Sequence, residues 1–253
     1  MSLASLRQFV ADVRLAKQTM ATRGKLIALE GIDGSGKRTQ LELLARALEA
    51  RGLSTFQISF PRYESFYGKL VARYLNGEFG ALGAVDPHFS ALLYAGDRLE
   101  AKPEMEGALG AGKFVLADRY IGSNMAHQSA RMPPGGREEF LEWLKRLEYG
   151  VYALPAEDLV IYLRVPVAEA HRLVGLKAAR GYTTLQRDIQ EADMTHLQET
   201  AKMYERLATG TNWASIDCIN AASGALFSPE EIHGAVLKAV EARVIGKVST
   251  GRA

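Results

Sequence analysis

Short apolar runs recur along the chain and alternate with stretches in which apolar residues follow helical spacing. Five such runs occupy residues 26–29, 55–60, 114–117, 159–163 and 215–219. Strands that helices cover on both faces are apolar throughout, whereas a strand with one solvent-exposed face alternates between apolar and polar residues. The runs therefore predict an α/β fold in which a five-stranded parallel sheet forms the middle of three layers.

The segment after the first run has leucines at helical spacing. Leu41, Leu44 and Leu48 fall on one face of a helix, and Gly52 marks its end. Glycine readily adopts the left-handed conformation that often follows a helix. The spacing therefore predicts a helix after the first strand that ends near Gly52.

Turn-forming residues divide the rest of the chain into further helices. Asp86 followed by a proline is typical of a helix start, and Pro103 should kink or end the helix that begins there. The prolines and glycines of residues 132–136 break the next helical region into two. Ser228 opens a last helix that runs to about Val244.

Two stretches lie outside this alternation. Residues 1–24 have apolar positions at helical spacing, which predicts a helical N-terminal extension. Residues 246–253 predict a flexible tail. We expect the part between them, residues 25–245, to form a single domain.

Composition narrows the classes of function. With 253 residues, 47% of them hydrophobic, the chain can bury a full core. A net charge of +2 gives no reason to expect binding to nucleic acid, and no apolar stretch approaches the ~18 residues of a membrane span. The single cysteine, Cys218, excludes an internal disulfide and lies in a mostly apolar run, which predicts a buried thiol. We therefore expect a cytoplasmic protein.

A glycine-rich loop follows the first apolar run. Its residues are Gly31, Ile32, Asp33, Gly34, Ser35, Gly36, Lys37, Arg38 and Thr39. Glycines let backbone N–H groups approach phosphate oxygens, the start of the next helix favours an anion, and Lys37 would reach the β- and γ-phosphates. Strand, loop and helix in this order predict an ATP site in a fold of the P-loop NTPase type.

Charged residues follow two other predicted strands. Asp118 and Arg119 come directly after the run 114–117, and Arg62 follows the run 55–60. The carboxyl ends of parallel strands are where α/β proteins bind ligands, and arginine offers a planar fork of donors that matches a phosphate. A lone arginine is more often a surface charge, but beside a phosphate loop the pair favours a second phosphate site.

The residues at the end of the second strand indicate which kind of molecule would accept a phosphate from ATP. A nucleoside kinase gains from a carboxylate base near a neutral hydroxyl, whereas a nucleoside monophosphate is already an oxyanion and needs positive charge and alignment. The second strand ends in Pro61 and Arg62, not in a carboxylate. We therefore expect a nucleoside monophosphate as acceptor.

These segments, in this order, resemble the thymidylate kinase family over nearly all of residues 25–244. The resemblance rests on the phosphate loop, the Phe-Pro-Arg segment at 60–62, the helix with Tyr94 and Arg98, and the Asp-Arg-Tyr segment at 118–120. It implies a P-loop kinase that transfers phosphate from ATP to dTMP with Mg²⁺ as cofactor. It also implies a homodimer.

The resemblance further implies roles for individual residues. Arg62 and Arg119 would hold the acceptor phosphate, while Tyr94 would stack on the thymine and Arg98 would bond its edge. His127 would lie near the sugar 2′ position. The expected dTMP site consists of Asp33, Phe60, Arg62, Tyr63, Tyr94, Arg98, Arg119, Ser123, Asn124 and His127. The expected catalytic residues are Lys37, Asp33, Arg119 and Arg187.

A cationic segment at about residues 175–190 predicts a helical lid. Mobile cations that close over ATP would neutralise charge as the phosphoryl group moves and would exclude water. Arg180 is the expected ATP ligand there and Arg187 the catalytic cation. The charged face of a solvated helix would give the same pattern, so this alternative stays open.

One loop residue departs from the usual pattern. Arg38 stands where serine or threonine would bind Mg²⁺, and Thr39 cannot replace it because one helical residue rotates the side chain by about 100°. We expect ATP oxygens and water to hold the metal, with Asp33, Asp118 or Glu191 nearby.

Three other functions stay open at this point. A kinase for another pyrimidine monophosphate would share the phosphate-binding arginines. A nucleotide-binding switch or ATPase would use the phosphate loop without an acceptor site. An inactive homologue that serves as a binding partner is a third alternative.

Overall fold

A computed structural model of the chain describes residues 23–175, 189–190, 193–220 and 222–246. At its centre is one sheet of five strands, which are β1 (Lys25–Glu30), β2 (Thr55–Ser59), β3 (Phe114–Asp118), β4 (Leu159–Arg164) and β5 (Trp213–Asp217). The strand order is β2-β3-β1-β4-β5, and every pairing is parallel. The predicted α/β fold with a five-stranded parallel sheet is confirmed.

The last strand begins earlier than predicted. The apolar run placed it at residues 215–219, but β5 spans Trp213–Asp217. It lies at the edge of the sheet, and its residues alternate between buried and more exposed positions. A continuous apolar run therefore does not mark its ends. Cys218, just beyond β5, is buried, and burial raises the pKa of its thiol to about 12, which confirms the predicted buried thiol.

The described residues also form helices between the strands and after the last one. These are α1 (Lys37–Glu49), α2 (Phe66–Leu75), α3 (Pro87–Gly110), α4 (Ile121–Ser129), α5 (Arg137–Lys145), α6 (Val167–Gly175), α7 (Met194–Leu207) and α8 (Pro229–Val240). Shorter 3₁₀ turns lie at Leu82–Ala84 and Pro134–Gly136, and π-helical turns at Arg146–Val151 and Glu241–Ile245. The predicted break between two helices at residues 132–136 is confirmed. So is the predicted start of the last helix, where Ser228 forms a capping box with Glu231.

One helix is longer than predicted. Pro103 was expected to kink or end α3, but the helix continues through it to Gly110. Pro103 is on an exposed face, so water can reach the carbonyl that loses its hydrogen-bond donor. On the opposite side Ala101 and Met105 are fully buried. Packing of that side against the core outweighs the local cost of the proline.

The central position of β1 determines where the site forms. Its residue Leu29 lies beside Asp118 of β3 on one side and Ile161 of β4 on the other. All carboxyl ends point to the same edge, so the glycine loop after β1 lies next to the residues that follow β3. Nearly all residues of β1, β3 and β4 are buried, as expected for strands covered on both faces.

Several predictions lie outside the described residues. They concern the helix proposed for residues 1–24, most of the lid at about 175–190, and the tail at 246–253. The division of the chain at these positions stays a prediction. Among the described residues, none of the helices has the length and apolar character needed to cross a bilayer.

A buried carboxyl before β4 makes stability depend on pH. Glu157 accepts a hydrogen bond from the Tyr149 hydroxyl at 2.7 Å, and burial raises its pKa from 4.5 to about 7. The folded state therefore binds this proton more tightly than the unfolded state, so stability present below pH 4.5 is lost as the pH rises towards 7. We expect Glu157→Gln to gain about 3 kcal/mol relative to wild type between pH 4.5 and 8.

Urea unfolding of both proteins across this pH range measures the effect. A difference in unfolding free energy that does not change with pH would show that Glu157 titrates normally in the fold.

Candidate functional site

The glycine loop has the backbone geometry of an anion site. Gly31, Gly34 and Gly36 all have positive φ angles. At Gly34 a Cβ atom would lie only 2.2 Å from the carbonyl oxygen of Ala170, so a side chain does not fit there. α1 begins at Lys37, and its N-cap residue, Gly36, has no side chain that could accept hydrogen bonds from the first N–H groups of the helix. They are therefore oriented to bind phosphate.

The Lys37 side chain folds back into the glycine loop. Its ammonium donates hydrogen bonds to the carbonyl oxygens of Gly31 and Ile32, both at 3.0 Å, and contacts the Ser35 hydroxyl at 3.5 Å. Its side chain is buried. The ammonium charge therefore lies within the loop where donor phosphates are predicted to bind. Thr39 lies exposed in the first turn of α1.

A cavity of about 260 Å³ opens next to this loop at the carboxyl edge of the sheet. Most residues predicted to bind the acceptor line it. They are Asp33, Phe60, Tyr63, Tyr94, Arg98, Arg119, Ser123, Asn124 and His127. Arg38, predicted for the ATP site, and Asp118, predicted for the metal, also line it. The structure therefore brings together side chains from the ends of β1, β2 and β3 and from helices α3 and α4.

Arg119 connects the phosphate loop to this cavity. Its guanidinium donates to the Asp33 carboxylate at 2.6 Å, to the Gly31 carbonyl oxygen at 3.2 Å and to the Ser123 hydroxyl at 3.0 Å. Burial lowers the pKa of Arg119, but the charge of Asp33 outweighs this and holds the pKa well above its usual value. The cavity thus has a permanent positive charge next to the loop.

Arg62 does not line the cavity. Its backbone N–H donates to the Asp97 carboxylate at 2.7 Å, and its guanidinium pairs with Glu104 at 3.0 Å. Its Nη1 atom is buried and has no hydrogen-bond partner among the described residues. The neighbouring Phe60 and Tyr63 do face the cavity, so Arg62 lies at its margin.

The far end of the cavity is formed by α3 and α4. Arg98 is 2% exposed and pairs with Glu148 through two hydrogen bonds of 2.6 Å. Asn124 is also buried and donates to Glu148 at 2.8 Å. Tyr94 is half-buried, with its ring edge-on to the ring of Tyr74.

His127 is a buried, neutral imidazole next to Arg119. Burial, followed by the positive charge of Arg119, lowers the pKa of His127 well below its usual value. Its Nε2 lies 3.4 Å from the guanidinium, and its ring centre lies 5.6 Å from that of His196. His127 therefore adds no charge to this part of the cavity.

Glu30 belongs to the site although it was not among the predicted site residues. This fully buried carboxylate accepts hydrogen bonds from the backbone N–H groups of Tyr120 and Ser123, at 2.8 and 2.9 Å. It also accepts from the hydroxyls of Ser123 and Tyr204. Glu30 therefore caps α4 and fixes the backbone next to Arg119. The available signal was a glutamate at the end of an apolar strand, directly before the loop.

Two further buried acids also support predicted ligands. Asp97 holds the backbone of Arg62 and the hydroxyl of Ser65, and Glu148 holds Arg98. An acid adjacent to an arginine within the otherwise apolar stretch 91–99 of α3 signals Asp97. Glu148 lies in a polar stretch, and its sequence carries no such signal.

The residues present are compatible with a magnesium ion. Asp33 and Asp118 both line the cavity, although the described residues contain no group of three or more metal-binding side chains. Mg²⁺ is usually held by one or two carboxylates together with water and substrate phosphates, so two carboxylates are sufficient. Arg38 lies at the open side of the cavity, where its largely exposed side chain pairs with Glu42 at 3.1 Å. Glu191, Arg180 and Arg187 lie outside the described residues.

Fold and site together define a class of protein. A central parallel strand leads into a glycine loop and a helix N-terminus, and a cationic cavity lies beside that loop. This is the arrangement of a phosphate-loop nucleotide-binding protein with room for a second, anionic ligand.

Comparison with known proteins identifies the family. The family model for thymidylate kinase matches residues 29–223. A thymidylate kinase of Mycobacterium tuberculosis is 35% identical over 192 residues, which cover 74% of this chain and 89% of that protein. A probable thymidylate kinase of Pyrococcus horikoshii is 34% identical over 88% of this chain and 99% of that protein. The chain belongs to the thymidylate kinase family, which consists of ATP-dependent phosphotransferases.

A solved structure agrees with the fold. Thymidylate kinase from Candida albicans superposes with a TM-score of 0.67 and 20% sequence identity, covering 87% of this chain and 92% of that one. The predicted fold of the P-loop kinase type is thereby confirmed. The roles of the individual site residues stay predictions.

Proposed function

We propose that this protein transfers the γ-phosphate of ATP to dTMP, giving dTDP and ADP. The observation that carries this proposal is Arg119, which bonds the phosphate loop through Asp33 and Gly31 while it lines the adjacent cavity. One guanidinium can thus contact both nucleotides where the phosphoryl group moves between them. Family membership supports dTMP as the acceptor.

Donor and acceptor are held by different groups. The loop N–H groups and Lys37 hold the ATP phosphates, and Arg119 with Arg62 at the cavity margin aligns the acceptor phosphate. Tyr94 stacks on the base. Because the acceptor is already an anion, catalysis consists of alignment and charge stabilisation, and Asp33 is available to fix Arg119.

We propose that Mg²⁺ binds near Asp33 and Asp118, with Glu191 as a third candidate. When bound, the ion supplies positive charge that neutralises the phosphates during transfer. Residues 175–190 would form the lid of a single domain at 25–245, with Arg180 and Arg187 directed at ATP. The cationic sequence of that segment supports this part of the proposal.

We also propose a homodimer. Phe89, Leu92 and Leu99 are exposed on one face of α3, and Phe66 is exposed on the adjacent α2. Large apolar side chains that recur along one helix face are typical of an interface with a second copy. Sedimentation equilibrium measures the oligomeric state.

We also propose a cytoplasmic location. A chain with one cysteine cannot form an internal disulfide, and disulfides are rare in cytosolic proteins.

The test is turnover of ATP with Mg²⁺ and dTMP, dUMP, UMP, CMP or no acceptor, measured side by side. We expect turnover that depends on dTMP. Preference for UMP or CMP would identify a kinase for another pyrimidine monophosphate. ATP hydrolysis without an acceptor would identify a switch or ATPase instead.

A further inference from the structure

Glu148 joins two side chains of the cavity that come from different helices. It lies fully buried in the π-helical turn after α5. Its Oε2 accepts a hydrogen bond from Arg98 Nε at 2.6 Å. Its Oε1 accepts from Arg98 Nη2 at 2.6 Å and from Asn124 Nδ2 at 2.8 Å. One carboxylate thus determines the orientation of both side chains.

The hydrogen bonds of Asn124 determine which way its amide faces. Its Nδ2 donates to Glu148 and also to the carbonyl oxygen of Ala91 at 3.1 Å. Both partners only accept, so the amide nitrogen must face them and the oxygen must face away. The Oδ1 atom is buried and has no partner among the described residues, and Asn124 lines the cavity. Asn124 therefore presents a hydrogen-bond acceptor to the cavity.

Arg98 offers the complementary group. Its Nε and Nη2 atoms are used by Glu148, and no hydrogen bond within the described part of the chain uses Nη1. Arg98 also lines the cavity. Together, the two side chains offer a ligand one donor and one acceptor, both in a buried environment where an unpaired polar group is costly.

We propose that Glu148 is a positioning residue that determines which pyrimidine the cavity accepts. A base edge with a carbonyl oxygen beside an imino N–H, as in thymine and uracil, complements Arg98 Nη1 and Asn124 Oδ1. Cytosine offers an amino group beside an acceptor nitrogen. Its amino group would face Arg98 Nη1, which is also a donor, and its ring nitrogen would face Asn124 Oδ1, which is also an acceptor. This role rests on the proposed function, because it requires the base of the acceptor nucleotide to bind in this cavity.

The substitution Glu148→Gln tests the role with minimal change of shape. A glutamine has one acceptor oxygen and a donor nitrogen, so it cannot accept from Arg98 and Asn124 as the carboxylate does. The glutamine nitrogen then faces a donor of either Arg98 or Asn124, so at least one of these side chains loses its partner and shifts away from its position in the cavity. We expect the ratio of kcat/KM for dTMP over dCMP to fall about 100-fold, with the loss for dTMP mainly in KM and the KM for ATP unchanged.

A ratio of two substrates does not depend on how much of the protein is correctly folded. This separates positioning from simple loss of structure. Glu157→Gln is the matched control, since Glu157 is also a buried carboxylate but does not line the cavity, and it should leave the ratio unchanged. If Glu148→Gln yields no folded protein, Glu148→Asp keeps the charge opposite Arg98 but is too short to serve both partners, and the ratio should still fall.

The outcomes distinguish the two proposals. If wild-type protein shows no preference for dTMP over dCMP, the proposed function is wrong and the role of Glu148 is wrong with it. If wild type prefers dTMP and the Glu148 variants keep that preference within about twofold, Glu148 serves the fold alone and only the positioning role is overturned.

Discussion

Arg119→Ala is expected to lower kcat/KM for dTMP by about a thousandfold or more. Arg119 is the cation that bonds the phosphate loop and lines the acceptor cavity at once. A rigid guanidinium at the point of transfer stabilises charge that develops only as the phosphoryl group moves, so its removal acts mainly on kcat. The variant also leaves Asp33 without this partner, which adds a negative charge where phosphates bind.

Steady-state kinetics with dTMP, together with equilibrium binding of ATP, measure this effect. Arg164→Ala is the matched control. Arg164 is the last residue of β4 and so lies at the same edge of the sheet, but it pairs with Glu205 and Asp217 on the surface. We expect near wild-type turnover from it. A loss of less than tenfold in a folded Arg119→Ala protein would contradict the proposed role, and acceptor-independent hydrolysis would favour a switch.

The centre of the fold could be predicted because its strands are buried on both faces. Such strands are apolar throughout, so β1, β3 and β4 are recognisable without any knowledge of their neighbours. Edge positions carry a weaker signal, which is why β5 was placed two residues late. Pro103 shows the opposite error, since a strong local signal was outweighed by packing that the sequence does not display.

Prediction of the site had a similar limit. The topology brings residues that follow β1, β2 and β3 to one edge, so spacing alone could place Asp33, Asp118 and Arg119 together. Which residue pairs with a buried arginine depends on the tertiary structure. Glu148 is 50 residues from Arg98 along the chain, and Glu30 caps a helix 90 residues away. Sequence reasoning therefore identified candidate ligands but missed the carboxylates that orient them.

Lys37→Ala is expected to lower kcat by about 100- to 1000-fold. The Lys37 ammonium donates to the carbonyl oxygens of Gly31 and Ile32 within the loop. When ATP binds, we expect this charge to contact the transferring phosphate instead. Alanine removes that donor and leaves two carbonyl dipoles directed at a site that must hold negative charge.

The effect on kcat should exceed the effect on ATP affinity, because loop N–H groups and the helix N-terminus still bind the phosphates of the ground state. Calorimetry with ATP and steady-state kinetics separate the two quantities. Lys25→Ala provides the control, since Lys25 begins the same strand at its opposite end and pairs with Asp158 at 2.8 Å. If both lysine variants reduced kcat equally, the loss would come from a disturbed β1, and the role of Lys37 in transfer would be wrong.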